Sequence, residues 1–426
     1  MRIVLADCYH DSDKGGGGIV AGAVRSIQRA CTEQGVEPQL SLLFRFSADD
    51  PAFDSAARFT SREFPDCEIL PAPVSSRRGP GWHWLPWAFR ALVVAPLRLL
   101  FPRLSRHPAV RAMREADVIV FKGGNFYRSW SRNVLADAVA VFLLTYTLLL
   151  ARRLNKRTCV ISHTFGPFHN RLSHRLMGWA LRGATYISCR EEPSRQVLVA
   201  CGVPAGRIGV TPDTGFGAWP AADVSELLAR HELQPGHYAA VTTRPWFYAE
   251  RRRGDDSTYR AYIAGMAALC DHLAATVGRV ALVVQNEGSH SRNEPDLPPL
   301  RDILAAMSLA DRATIIDADL PFDALTAIYG HAALTLGTRL HSCIFSLAAG
   351  TPAIAVAYGH KAIGIMSMAA AGDYVLDISD LSVANGVRMI DEVLARRDEL
   401  SARQTARVAE LRAEIDAMMR TVLFPE

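Results

Sequence analysis

Lysine is almost missing from this chain. Of 47 basic residues only Lys14, Lys122, Lys156 and Lys361 are lysines, so a lysine carries information where it falls in a motif, and the arginine excess carries little by itself. The formal net charge of +4 over 426 residues is small and makes no case for general nucleic-acid binding, which needs a basic stripe or domain. The eight cysteines are scattered without a Cys-x-x-Cys pair, which signals neither a zinc site nor a disulfide framework. His83, His107, His169, His174 and His231 share no metal-ligand spacing, so no metal site is expected. There is no low-complexity tract and no short repeat. The apolar run at Met1–Asp7 is too short for a signal peptide and reads as a buried first strand, and a reducing cytoplasm is the simplest compartment. The longest apolar run, Val134 to Ala151, approaches the ~18 residues that raise a membrane-span reading. Asp137 interrupts it and Arg152-Arg153 follow, so a helix buried against a sheet is the better account.

Charged residues at 21% and hydrophobic residues at 49% describe a globular chain, and its length suggests two or three domains. The first half reads as strand-then-helix units. Strands are expected at Arg2–Ala6, Gln39–Phe46, Asp117–Phe121, Arg157–Ser162 and Tyr186–Cys189, with a small-faced helix at Ile19–Gln34. After Asp213 the pattern loosens through Gly215, Gly217, Pro220, Pro235 and Gly236, then restarts with a strand at Tyr238–Thr243. A helix at Tyr259–Thr276, a strand at Arg279–Gln285, a helix at Leu297–Ala306 and a strand at Ala313–Ile316 follow. Such alternation predicts α/β domains with parallel sheets, two Rossmann-like halves facing a cleft. The expected domains are 1–215 and 236–382, with a charged helical tail at 383–426.

Polar residues at the carboxyl ends of strands are where such sheets bind ligands. Thr335 to His341 is the densest example. Arg339, a permanently charged fork able to hold phosphate or carboxylate, lies beside His341, a residue type suited to proton transfer near neutral pH. Asp13-Lys14-Gly15-Gly16-Gly17-Gly18 follows the first strand, as an anion-binding loop before a helix or as a flexible turn. It matches neither G-x-G-x-x-G nor a P-loop. Lys122-Gly123-Gly124-Asn125 offers close backbone approach and a donor-acceptor amide to a hydroxyl-rich ligand; a tight turn alone would explain the glycines. Arg190 ends a strand, for function or for pairing with Glu191 or another acid. Arg244 beside Trp246 suits a sugar ring, a phosphate or an interdomain contact. Residues 71–114 hold eight arginines and no acid, with Trp82, Trp84, Trp87 and Phe89 leading into an apolar run. That composition suits peripheral contact with an anionic membrane interface, or a surface excursion packed on its own domain; Pro86, Pro96 and Pro102 argue against one long interfacial helix.

Taken together, these pieces resemble the polysaccharide pyruvyl transferase family. The resemblance rests on Lys14-Gly15-Gly16, Lys122-Gly123-Gly124, Gly166-Pro167-Phe168, Arg190-Glu191-Glu192-Pro193-Ser194 and Val210-Thr211-Pro212-Asp213-Thr214-Gly215-Phe216. It continues through Arg339-Leu340-His341, Gly350-Thr351-Pro352 and Tyr358-Gly359-His360-Lys361. It implies a fold similar to two-domain GT-B glycosyltransferases. It also implies a transferase without cofactor that moves a pyruvyl group from phosphoenolpyruvate, its donor substrate, onto two hydroxyls of a sugar as a cyclic ketal. The acceptor would be a polysaccharide or its lipid-linked precursor. By carry-over, Arg190 and Arg339 hold the donor's phosphate and carboxylate, His341 is the acid-base residue, and Lys361 adds positive charge. The approach His10-Asp11-Ser12-Asp13, the extra segment 71–114 and His163 depart from the family's pattern and bear on the acceptor more than the donor. Two competing readings remain: a nucleotide-sugar glycosyltransferase of GT-B type, and a non-catalytic component of a surface-polymer assembly complex.

Overall fold

The computed structural model describes residues 1–74, 89–217, 219, 222–246, 256–288, 295–358 and 360–425, with the backbone alone for His360 and Lys361. Trp82, Trp84 and Trp87 of the basic segment, and the side chain of Lys361, lie outside the described residues. The chain divides into two compact units. The first comprises Met1–Asp11, Ile19–Thr214 and Glu414–Glu426, the second Ser12–Gly18 and Gly215–Ala413.

The first unit is built on eight strands: β1 (Arg2–Cys8), β2 (Gln39–Phe44), β3 (Glu68–Leu70), β4 (Val118–Phe121), β5 (Gly124–Tyr127), β6 (Arg157–Phe165), β7 (Tyr186–Cys189) and β8 (Ile208–Val210). They pair in parallel in the order β3-β2-β1-β4-β6-β7-β8, with β5 beside β6. Val118-Ile119-Val120-Phe121 is buried throughout, because a parallel sheet covered on both faces offers no solvent side to alternate towards. Its helices include α1 (Lys14–Glu33) from Ile19 onward, the first turn belonging to the second unit, with α2 (Val134–Arg153) and α3 (Glu192–Ala200). The expected helix start at Ile19 is corrected to Lys14, since the glycine run is the first turn of α1 and not a loop before it. Gly124 and Asn125, expected in a loop, lie in β5, where Gly124 is paired with His163.

The helix α2 is long and apolar enough to cross a membrane by composition, yet half of its residues are buried in the first unit. Asp137 explains its place. Fully buried, it accepts hydrogen bonds from the hydroxyls of Ser129 (2.5 Å) and Ser173 (2.6 Å), the Asn170 amide (2.9 Å) and the backbone N–H groups of Trp130 (2.8 Å) and Ser131 (3.2 Å). One carboxylate thus ties the start of α2 to the following helix, Arg171–Leu181.

The second unit is a six-stranded parallel sheet: β9 (Tyr238–Thr242), β10 (Arg279–Val283), β11 (Ala313–Ile316), β12 (Leu334–Gly337), β13 (Ala353–Ala357) and β14 (Val375–Asp377). Its order is β11-β10-β9-β12-β13-β14, the doubly wound 3-2-1-4-5-6 arrangement, which reverses direction between β9 and β12. Helices α4 (Leu297–Ala306), α5 (Leu340–Ala348) and α6 (Arg397–Leu423) belong largely to this unit. The last part of α6 packs with the first unit, where Asp416 accepts from Ser26 (2.7 Å) and Arg29 (2.7 Å).

Burial raises the Asp137 carboxyl pKa, but its hydrogen bonds outweigh that and hold it below the usual carboxylate value. A depressed folded-state pKa contributes stability that is complete above about pH 4 and is lost as pH falls through the depressed value. Asp137→Ala is expected to cost about 3 kcal/mol in urea unfolding at neutral pH and to flatten the stability loss below about pH 4. An equal acid slope in both proteins contradicts this role.

Candidate functional site

In the second unit the chemistry gathers at the carboxyl ends of β9 and β12, beside the reversal in strand order. Gly337 ends β12 where a Cβ would collide with the Ser342 hydroxyl and the Cys343 thiol, so only glycine lets the chain turn straight into α5. Thr338 N–H donates to Thr242 O (3.1 Å), and the Thr242 and Ser342 hydroxyls are 2.7 Å apart, which joins the turn to β9. Arg339 occupies the N-cap position of α5, and Ser342 Oγ donates to its carbonyl (2.6 Å).

The guanidinium of Arg339 is held by Asp296, the residue before α4. Nε donates to Oδ1 (2.9 Å), and Nη2 donates to the same oxygen. Asp296 is fully buried, and its other oxygen accepts from the N–H groups of Asn286 (2.9 Å) and Gln285 (3.2 Å) at the end of β10. Burial pushes the Asp296 carboxyl pKa up, and the Arg339 charge opposes this only in part. Burial also disfavours charge on Arg339, but Asp296 outweighs it and holds the guanidinium above its ordinary value.

His341 lies in the first turn of α5, half-buried against the first turn of α1. A Cβ at Gly15 would sit 2.5 Å from His341 Nδ1, and one at Gly18 would overlap the Phe345 ring. The glycine run is therefore a helix face that lets α5 approach. The flexible-turn reading of the sequence is replaced by this packing role, and the run opens the helix instead of preceding it. Lys14 is buried, with Nζ 2.8 Å from Asp319 Oδ1 and 3.2 Å from Glu287 Oε1. Its backbone N–H donates to Gln285 O (3.3 Å), and Asp13 forms a bridge with Asn286. The nearest atom that a Cβ at Gly16 would meet is Asp13 Oδ2, at 3.5 Å, an ordinary contact. Arg244 stacks its guanidinium 4.2 Å over the Tyr358 ring and 5.5 Å from the Trp246 ring. Its Nε is buried without a hydrogen-bond partner among the described residues.

The second unit thus brings Lys14, Gly15, Arg339, His341 and Arg244 to one end of its sheet. Asp296 and Asp319, which with the strand-end Glu287 fix Arg339 and Lys14 there, escaped the sequence reading.

The first unit gathers Arg190, Lys122, Gly123 and Gly124 around His163. Arg190 is buried at the end of β7, donating from Nε to Thr164 Oγ1 (2.6 Å) and from Nη1 to Asp213, with Glu191 Oε2 3.5 Å away. Lys122 Nζ donates to Gly123 O (3.1 Å), and a Cβ at Gly123 would lie 2.7 Å from Ser162 O, so this glycine permits close approach of β4 and β6. His163 is fully buried, and its Nδ1 pairs with Thr164 O (2.6 Å). Burial, reinforced by Arg190, pushes its pKa well below the ordinary value, so it is neutral at physiological pH. Asn125 is exposed. At the end of β1, Asp7 takes a left-handed backbone (φ 66°), accepts from Arg45 Nη1 (2.8 Å) and from the Tyr127 hydroxyl, and forms a buried cluster with no local sequence signature.

Asp296→Ala removes the partner of a largely buried guanidinium and of two backbone N–H groups. It is expected to cost about 3–5 kcal/mol in urea unfolding. A loss below about 1 kcal/mol, the value of an exposed pair, contradicts the account.

Comparison with known proteins now adds to this geometry. Residues 49–360 match the family described as polysaccharide pyruvyl transferase. The amylovoran biosynthesis protein AmsJ of Erwinia amylovora is 21% identical over 304 residues, 70% of each chain. Among solved structures the chain is similar to the trehalose-6-phosphate synthase OtsA, at 12% identity and a TM-score of 0.58 over 98% of this chain and 97% of that one. It is also similar to Anabaena HepE solved with UDP and glucose, at 13% identity and a TM-score of 0.54 over 98% of each chain. At these identities the solved structures bear on fold alone, and the fold is GT-B-like, with two parallel-sheet α/β domains. With its family match spanning most of its length, the chain belongs to the polysaccharide pyruvyl transferase family.

Proposed function

We propose that this transferase of polysaccharide synthesis takes phosphoenolpyruvate as its donor and forms a cyclic pyruvate ketal on two hydroxyls of a sugar, in a polysaccharide or its lipid-linked precursor. The observation that carries the reading is the turn into α5. A guanidinium fixed by Asp296 stands at a helix N-terminus, two residues before a histidine wedged against Gly15. Phosphoenolpyruvate is compact and carries both a phosphate and a carboxylate. A fixed arginine fork and the N–H groups of a helix N-terminus suit such an anion.

The chemistry balances without a further reactant. A proton adds to the methylene carbon, the adjacent carbon becomes electrophilic, and one sugar hydroxyl attacks it with loss of its own proton. The second hydroxyl then displaces phosphate, and its proton completes the balance. His341 is proposed as the group that gives or takes a proton in these steps, a role for which a histidine is suited near neutral pH. Arg190, with its guanidinium at the carboxyl end of β7, is proposed as the second anion fork, and Lys361 as an added positive charge on the donor. The stack of Arg244 on Tyr358 and Trp246 offers an aromatic and cationic surface of the kind that suits a sugar ring or a phosphate.

Incubation with phosphoenolpyruvate and a glycan acceptor, with UDP-glucose as the control donor, tests the reading through phosphate release and the mass of the product. His341→Ala is expected to lower turnover about a hundredfold or more, and Arg339→Lys to lower kcat/KM by about a hundredfold. Gly15→Ala, which displaces the imidazole, is expected to lower kcat about tenfold or more. Phosphate release that survives His341→Ala undiminished rejects the histidine's role, and transfer from UDP-glucose alone rejects the donor.

A further inference from the structure

The first unit presents a surface whose polarity is inverted. The π-helical turn Arg90–Val94 runs directly into the helix Ala95–Leu100. The residues it turns inward are small, with Ala91 at 3% and Ala95 at 0% exposure, and Ala95 O accepts from the Tyr146 hydroxyl of α2 (3.0 Å). Its large apolar side chains point out, with Leu97 at 52%, Leu100 at 57%, Phe101 at 57% and Leu104 at 79% exposure. Val93, Leu97 and Leu100, spaced by four and then three residues, share one helical face, and Phe101 and Leu104 follow where the helix ends. A helix packed for water would bury these side chains and expose polar ones.

The exposure is not that of a loose end. Arg153, at the end of α2, donates to Leu99 O (3.1 Å) and Leu100 O (3.3 Å), and the Arg98 guanidinium donates to Pro73 O. The helix is therefore clamped by its backbone with its apolar side chains outward. The segment's own charge has one sign. Residues 71–114 contain eight arginines and no acid, and Arg103, Arg106 and Arg111, which follow the apolar face in sequence, are exposed. Arg90 is paired with Asp49, an acid from outside the segment.

We propose that this face, Val93 to Leu104 with its flanking arginines, docks on the surface of an anionic lipid bilayer. The leucines and Phe101 enter the boundary between headgroups and acyl chains, and the arginines pair with lipid phosphates. Charge complementarity selects this occupant. A second copy of the chain would bring like-charged arginines together, a juxtaposition that costs affinity. The inference goes beyond the donor chemistry and does not depend on it.

Co-sedimentation of the full chain with vesicles of phosphatidylcholine, or of phosphatidylcholine mixed with phosphatidylglycerol, tests the proposal. Binding is expected to the mixed vesicles only, weakening as salt is raised. The double variant Leu97→Glu/Phe101→Glu is expected to bind about tenfold more weakly or worse. Arg103→Glu/Arg106→Glu, which leaves every apolar side chain in place, is expected to bind about tenfold more weakly as well. Both variants should keep the wild-type thermal melt and turn over phosphoenolpyruvate with a water-soluble acceptor as the wild type does. Wild-type protein that stays in the supernatant with both vesicles overturns the proposal, as does undiminished binding by both variants. A dimer abolished by Leu97→Glu/Phe101→Glu, without vesicle binding by the wild type, would assign the face to self-association.

Discussion

The ion pair between Arg339 and Asp296 is the constraint on which the second domain's polar edge depends. A guanidinium among buried strand ends is costly unless a carboxylate pairs with it, and a buried carboxylate is costly unless both its oxygens are occupied. Asp296 meets both conditions, because one oxygen takes the guanidinium and the other takes the N–H groups of Gln285 and Asn286. Three segments are thereby fixed by one side chain: the end of β10, the approach to α4 and the turn from β12 into α5. The same strand end reaches further. Gln285 O accepts from Lys14 N–H, and its side-chain oxygen accepts from the Tyr329 hydroxyl (3.0 Å).

A fork held along one edge cannot swing, and that is the physical difference between arginine and lysine at this position. Lys14 is treated alike, with two carboxylates against its ammonium, so both basic groups are directed before any ligand arrives. Packing positions His341, since α1 and α5 meet through Gly15 and Gly18 on one side and His341 and Phe345 on the other. Preorganisation of this kind places the ordering cost in folding and leaves less of it to binding. The inverted helix at Ala95 shows the opposite economy, with small residues inward and large apolar ones in solvent, where fold stability gains nothing from them.

Much of the fold could be read along the chain because parallel strands are continuous apolar runs. Tyr186–Cys189, Ala313–Ile316 and the helix Leu297–Ala306 lie where their patterns put them. The three-residue strands β3, β8 and β14 carry too few side chains for any period to register, and β5 begins with a glycine and exists through its pairing with β6. Arg339 and His341 were legible as a strand-end pair. Their partners were not, since an ion pair between residues 296 and 339 has no local pattern. Local position would mislead here: Asp296 stands at the N-cap of α4, yet it makes no side-chain cap bond and turns to Arg339. The glycine run misleads in the same way, because four glycines favour a loop until a second helix needs the space. Asp137 interrupts the apolar run in the sequence and favours a buried helix; its five hydrogen bonds, which tie the start of that helix down, have no local signature.

The central claim is that the fixed arginine and the histidine of the α5 turn are built for a small doubly anionic donor. Calorimetric titration of the purified chain with phosphoenolpyruvate, set against UDP-glucose, tests it most directly because it needs no acceptor. The account predicts saturable binding of phosphoenolpyruvate that Arg339→Lys weakens about tenfold or more, with no comparable binding of UDP-glucose. Tight binding of UDP-glucose with none of phosphoenolpyruvate would contradict it.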